Sequence, residues 1–182
     1  MSSYAAFLRG MNVGGHRLTN VELCSHFAEM GFRDVASFRA SGNVIFAGEK
    51  QPDETVEQRI EAGLEKALGY AVPTFIRAAT EVRSIAASEP FERAQVEAST
   101  GKLQVALLGA RPSAAARKAV LALKSNADRL AFGTSELYWL PSGGMSDSEL
   151  DLKAIERLVG AMTVRTKNTI EQIASKHFAD DG

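Results

Sequence analysis

Hydrophobic positions along this chain fall into short dense runs separated by longer stretches with helical spacing. "YAAFLRG" is a brief apolar run closed by Gly10 and predicts a buried strand. Val21, Leu23, Cys24, Phe27 and Met30 then recur on one helical face. Thr19 and Glu22 supply a capping box, Leu18 and Leu23 a hydrophobic staple, and Gly31 a stop. "DVASFRA" and "NVIFA" read as two strands joined by a turn around 40–42. A second helix is predicted from Pro52 to Leu68, where Val56, Ile60, Leu64 and Leu68 stand four apart and Gly69 closes the run. "AVPTFIR" reads as a strand that Pro73 places at a sheet edge, and Thr80–Ala87 as a short extra helix. The order is β-α-β-β-α-β, the ferredoxin-like arrangement.

The pattern then starts again. "LQVALLG" aligns with "YAAFLRG" glycine to glycine. A helix from about Pro112 to Leu123, a hairpin "RLAFG"/"ELYWL" across Thr134-Ser135, a helix from about Ser148 to Val159, the strand "MTVRT" and a last helix from near Asn168 complete it. The fold class is therefore α+β, a tandem duplication of a ferredoxin-like unit with an added C-terminal helix. The expected boundaries are 1–88 for the first unit, 89–101 for a linker and 102–182 for the second unit with its helix. Both leading strands are apolar on both faces. Their sheets thus need cover on the side away from their helices, from the other half or from a second subunit in a homodimer.

The repeat supplies an internal control. The second unit passes from Gly109 to its helix through Ala110 and Arg111, whereas the first uses the whole stretch from Gly10 to Leu18. Short connections are the norm, so "MNVGGHRL" is a candidate functional insertion. The ferredoxin-like strand order, 4-1-3-2, puts the end of strand one beside the start of strand three. "LRGMNVGGHR" should therefore meet "RASGN". That collects Arg9, Gly10, Asn12, Gly14, Gly15, His16 and Arg17 with Arg39, Ser41 and Asn43. Glycine-rich backbone can form an anion nest, and arginine adds bidentate recognition of phosphate or carboxylate. Arg165, Asn168 and Thr169, leading into the last helix, form a secondary candidate at a helix N-terminus.

Composition narrows the chemistry. The net charge is −1, which argues against a protein that coats DNA. Cys24, the lone cysteine, permits no intrachain disulfide and no cysteine-based zinc site, and its place on an apolar face reads as a structural thiol. No His and carboxylate spacing points to a metal, and no cofactor is expected. The glycine loop lacks the Gly-Lys-Ser/Thr ending of a P-loop and the spacing of a dinucleotide fingerprint. "DRLAFGTSELYWL" lacks the aromatic and basic pairing of RNA-reading sheets. No apolar stretch has transmembrane length or a signal peptide's layout, so a cytoplasmic location with no membrane partner is expected.

"LRGMNVGG", then "MGFRDVASFRASGNVIF", then "EPF", resembles a widespread bacterial family of conserved proteins of unknown function. Its members open with L-R-G-[IM]-N-V-G-G and continue to an S-G-N-V-[VI]-F segment. The resemblance spans essentially the whole chain. It implies tandem ferredoxin-like units and supplies no reaction. Arg9, Gly10, Asn12, Gly14, Gly15, Ser41, Gly42 and Asn43 hold the family's motif. The late half departs from it: "GMSDSEL" stands where relatives carry G-I-G-R-S-K-L, placing Asp147 and Glu149 at basic positions, and Lys167 replaces a tryptophan. The expected function is binding of a small anionic ligand, such as a nucleotide or phosphorylated metabolite, by the loops Arg9–Arg17 and Arg39–Asn43. Two alternatives are a nucleic-acid backbone held by the same loops and a noncatalytic protein-interaction module. Whether any catalysis occurs is not legible.

Overall fold

From Tyr4 to Leu8 the first strand is buried at every position, so it must lie inside a sheet with cover on both sides. The computed structural model describes residues 2–12, 14–39, 42–49, 53–125, 127–143 and 148–179, with backbone alone at 53–55. Among them the chain runs β1 (Ser2–Leu8), α1 (Asn20–Glu29), β2 (Arg33–Ser37), β3 (Asn43–Gly48), α2 (Asp53–Leu68), β4 (Thr74–Ala78), α3 (Ala79–Ala87) and α4 (Arg93–Ala98). It continues with β5 (Gln104–Leu108), α5 (Ala114–Ala122), β6 (Arg129–Phe132), β7 (Glu136–Leu140), α6 (Leu152–Val159), β8 (Met162–Thr166) and α7 (Lys167–His177). Two antiparallel sheets form, ordered β2-β3-β1-β4 and β6-β7-β5-β8. Each has the ferredoxin-like order, and the fold is α+β with the same β-α-β-β-α-β path twice. Met1–Arg83 with Ile173–Gly182 make one compact unit, and Ser84–Gln172 the other.

In the first unit α1 and α2 cover one sheet face. Tyr4, Ala6, Leu8, Val44 and Phe46 point toward Leu23, Phe27, Val56, Ile60 and Leu64 in a continuous core. Burying each large side chain there is worth roughly 1.5–3 kcal/mol relative to exposure. Thr19 caps α1 through the expected box with Glu22. Val21 departs from the expectation: it is 77% exposed, because the first turn of α1 swings it off the face that Leu23 and Phe27 occupy. β4 is an edge strand, as Pro73 requires. β2, at the other edge, carries a register shift between Arg33 and Ala36, with Asp34 at φ 50°. On the far side of the sheet Ala5, Phe7, Ile45, Phe75 and Arg77 are also buried. Phe38 packs edge-on to the His177 ring with centroids 6.1 Å apart, and Arg83 Nη1 donates to Phe178 O at 3.2 Å. Burial first, and the Lys176 charge second, lower the pKa of His177.

The second unit repeats the scheme with Ala106, Leu108, Val120, Leu137, Trp139 and Ile155 in its core. Tyr138 and Trp139 point to opposite faces, and both are buried, at 1% and 3% exposed. Trp139 Nε1 donates to Asp128 Oδ1 at 2.8 Å, and Ser148 Oγ donates to the same oxygen at 2.9 Å. Burial pushes the Tyr138 phenol up to about 12; its hydroxyl donates to Glu136 Oε1 at 3.2 Å. α6 starts at Leu152, not near Ser148, since Asp151 accepts from Ala154 N and sets the cap there. Ser146, whose spacing to Glu149 suits a capping box, and Asp147 lie outside the described residues. α4 occupies much of the stretch 89–101.

The two units also match position by position. Leu8 pairs with Thr74 and Leu108 with Met162, which puts Arg77 and Arg165 at the same place on their strands and corrects the glycine-to-glycine alignment by one residue, Gly109 corresponding to Arg9. Each donates Nη1 to the carbonyl just before it, Ile76 O at 2.8 Å and Val164 O at 2.9 Å.

Candidate functional site

The corner where β1 ends is held first by the sheet itself. Leu8 N donates to Gly42 O at 2.8 Å and Arg9 N to Pro73 O at 2.9 Å. Beyond Arg9 the chain leaves the sheet, yet Met11 turns back into the core and is 5% exposed. Tyr70 Oη donates to Met11 O at 2.7 Å, fixing the start of the loop from outside it. Asn12 Oδ1 accepts from Leu18 N at 2.8 Å and closes the loop on itself. Gly14 and Gly15 both have positive φ, 65° and 86°. A Cβ on Gly15 would meet nothing within 4 Å, so the backbone conformation, not space, calls for glycine. The ring of His16 lies 4.3 Å from that of Tyr70, tilted by 31°. At the loop's end Glu22 Oε2 accepts from Thr19 N and Oγ1, both at 2.8 Å. Those bonds, the backbone one foremost, hold the Glu22 carboxyl below its ordinary pKa.

The hairpin bend between β2 and β3 sits against this loop. Phe38 N donates to Asn43 O at 2.9 Å, and Asn43 Nδ2 donates back to Phe38 O at 3.0 Å. Asn43 is 1% exposed, so its amide staples the hairpin. Gly42 has φ 69°, and a Cβ there would come within 3.2 Å of Leu8 Cβ and 3.3 Å of Leu8 O. The bend is thus pressed onto the end of β1, and only glycine fits both the space and the conformation. Arg39 also has a left-handed backbone, φ 58°, its carbonyl accepting from Asn20 Nδ2 at 3.2 Å. Its guanidinium lies 5.5 Å from the Phe38 ring centroid. Arg9, Gly10, Asn12, Gly14, Gly15, His16, Arg17 and Arg39 are all exposed, and Ser41 lies outside the described residues.

The second unit builds the same corner differently. Leu108 N donates to Ser135 O and Gly109 N to Ala161 O, at 3.0 and 3.1 Å, repeating the bonds of Leu8 and Arg9. There the hairpin closes in two residues, Gly133 N donating to Glu136 O at 2.9 Å. The guanidinium of Arg117 then fills the corner: Nη1 donates to Gly133 O at 2.9 Å and Nη2 to Thr134 O at 2.8 Å. So the first unit is longer in both connections at one corner, and the second plugs that corner with its own side chain.

A family model described as protein of unknown function (DUF1697) matches residues 1–138, a stretch that contains both loops. The chain belongs to the DUF1697 family. A solved structure with the same fold is a conserved bacterial protein from Streptococcus pneumoniae, 17% identical, with a TM-score of 0.71 over 96% of this chain and 97% of that one. No curated protein matches the chain.

The secondary candidates are engaged separately in this DUF1697 member. Arg165 Nη1 donates to Thr163 Oγ1 at 2.9 Å, and burial lowers its pKa to about 10. Thr169 is buried and its N donates to Thr166 Oγ1 at 3.2 Å, which makes Thr166 the cap of α7. Asn168 is exposed. Lys167, at 7% exposed, donates Nζ to Ala86 O and to Glu171 Oε1, both at 2.8 Å. Sequence reasoning missed Tyr70 and Arg117, whose partners are distant in the chain. It also missed buried Arg77, although R-x4-[VI]-x2-I-A recurs at Arg77–Ala86 and Arg165–Ala174. Among the described residues no group of three His, Cys, Asp or Glu could hold a metal ion, and no helix is long and apolar enough to cross a membrane.

Proposed function

We propose that the corner formed by the loop Arg9–Arg17 and the bend Arg39–Asn43 binds a small phosphate- or carboxylate-bearing ligand. The guanidiniums of Arg9, Arg17 and Arg39 supply charge at an exposed edge, and the backbone at Gly14 and Gly15 supplies N–H donors between them. Asn12 and Asn43 also shape the two connections, each through one atom of its amide. Both are already bonded within the loop or hairpin.

The observation that carries this reading is the backbone of Arg39. A left-handed conformation costs an L-residue roughly 1–2 kcal/mol that glycine would not incur. Such strain persists where a side chain is needed at that place. An arginine held there, with its carbonyl fixed by Asn20, fits a role in charge recognition.

Calorimetric titration and thermal shift with inorganic phosphate, ribose 5-phosphate and succinate test the reading. At least one of the three should bind and raise the melting temperature by mass action. Arg9→Ala and Arg17→Ala should each weaken that binding about tenfold, the scale of one charge-assisted contact. No binding of any of the three at concentrations of tens of millimolar would remove the proposal.

A further inference from the structure

Resting on that anion site, we infer that its ligand is a nucleotide, with the base stacked on the imidazole of His16. The basis is an aromatic pair that a plain phosphate site would not require. The His16 ring is set by the Tyr70 ring, 4.3 Å away, and by the turn at Gly14, whose Cβ, if present, would lie 3.9 Å from His16 Cδ2. Tyr70 is itself anchored, its hydroxyl on the Met11 carbonyl at 2.7 Å, and Met11 is sunk in the core. A chain of contacts therefore runs from the packed interior through Met11 and Tyr70 to His16. His16 is nonetheless exposed, so a ring that packs against Tyr70 still presents surface to solvent.

A preformed aromatic platform on the surface suits a planar heterocycle. Every base has a π-face, and stacking on an aromatic side chain strengthens binding by about tenfold per base. The cations stand next to this platform in the chain. Arg17 follows His16 directly, Arg9 opens the same loop, and Gly14 and Gly15 lie between them. A ligand that unites a base and a phosphate would use both features, whereas a phosphosugar or a dicarboxylate would use only the arginines. The rings lie too far in sequence, 16 and 70, for the pairing to follow from local turn geometry. The hydroxyl bond of Tyr70 to the loop backbone is what brings them together.

Calorimetric titration of the full chain with AMP, GMP and ribose 5-phosphate tests this. Expected is binding of at least one nucleotide about tenfold tighter than ribose 5-phosphate. His16→Ala should lower the nucleotide affinity to the ribose 5-phosphate level and leave ribose 5-phosphate unchanged. His16→Phe should keep the preference, and both variants should melt as the wild type does. Equal affinities for nucleotide and ribose 5-phosphate in the wild type, or an equal loss of both in His16→Ala, would overturn the stacking role and leave the anion site standing. Failure of AMP and GMP to bind where ribose 5-phosphate, inorganic phosphate or succinate does would remove the nucleotide and leave the anion site; failure of all five would remove both.

Discussion

Two connections in this protein make the same step, from the first strand of a unit to its first helix. Up to Arg9 and Gly109 they are alike, down to the carbonyls that their backbone amides reach. They then part. The second unit turns within three residues to its cap at Ser113 and fills the adjoining corner with Arg117. The first unit spends nine residues, Gly10 to Leu18, and holds them with Met11, Asn12 and Tyr70. A connection lengthened without function needs no such scaffold. A corner plugged by its own guanidinium satisfies its carbonyls internally, whereas Arg9 and Arg17 of the long loop are exposed. The second unit closes the same frame with neither the extra loop nor the longer hairpin, so the shared hydrogen bonds do not depend on them.

Substitutions at three positions test this contrast. The largest effect is expected at Met11, the point where the long loop enters the core. Met11→Ala should destabilise the protein by about 2–4 kcal/mol in urea unfolding. A loss below about 1 kcal/mol would mean that the loop is not anchored through the interior and would weaken the scaffold argument. Next comes the plug of the second unit. Arg117→Met strips donors from the Gly133 and Thr134 carbonyls and should cost about 1–2 kcal/mol, with the half-buried site allowing water to replace part of the loss. The smallest effect is expected at Arg39. Relief of its left-handed strain in Arg39→Gly is offset by glycine's greater backbone entropy, leaving stability within about 0.5 kcal/mol of wild type. The same variant should weaken anion binding as much as Arg9→Ala does. A clear loss of stability there, with binding intact, would make Arg39 a structural residue.

Much of this architecture can be read from the sequence because local chemistry and tertiary packing agree. The apolar runs at Tyr4–Leu8 and Val105–Leu108 mark central strands, Pro73 marks an edge, and Thr19 with Glu22 marks the start of α1. These features act over a few residues. What sequence could not show depends on direction or on distant partners. Val21 has the right spacing for the buried face but sits in the first turn, where orientation is set by the incoming loop. α4 formed in a stretch that composition marks as a linker. The meeting of the glycine loop with the hairpin follows from strand order, and so could be argued in advance. The brace on that loop could not, since Tyr70 lies 59 residues from its partner Met11. Nor could the jobs of Asn12 and Asn43: a polar residue in a glycine-rich motif looks the same whether it binds a ligand or its own backbone.

Trp139 is the chain's sole tryptophan, sunk in the second core and bonded to Asp128. The protein thus carries an optical reporter confined to one half of its repeat. Intrinsic emission excited at the red edge of the indole band follows that half alone, while far-ultraviolet dichroism sees the helices of both. Coincidence of the two melting traces, or their separation, gives a label-free measure of how strongly the paired modules cooperate.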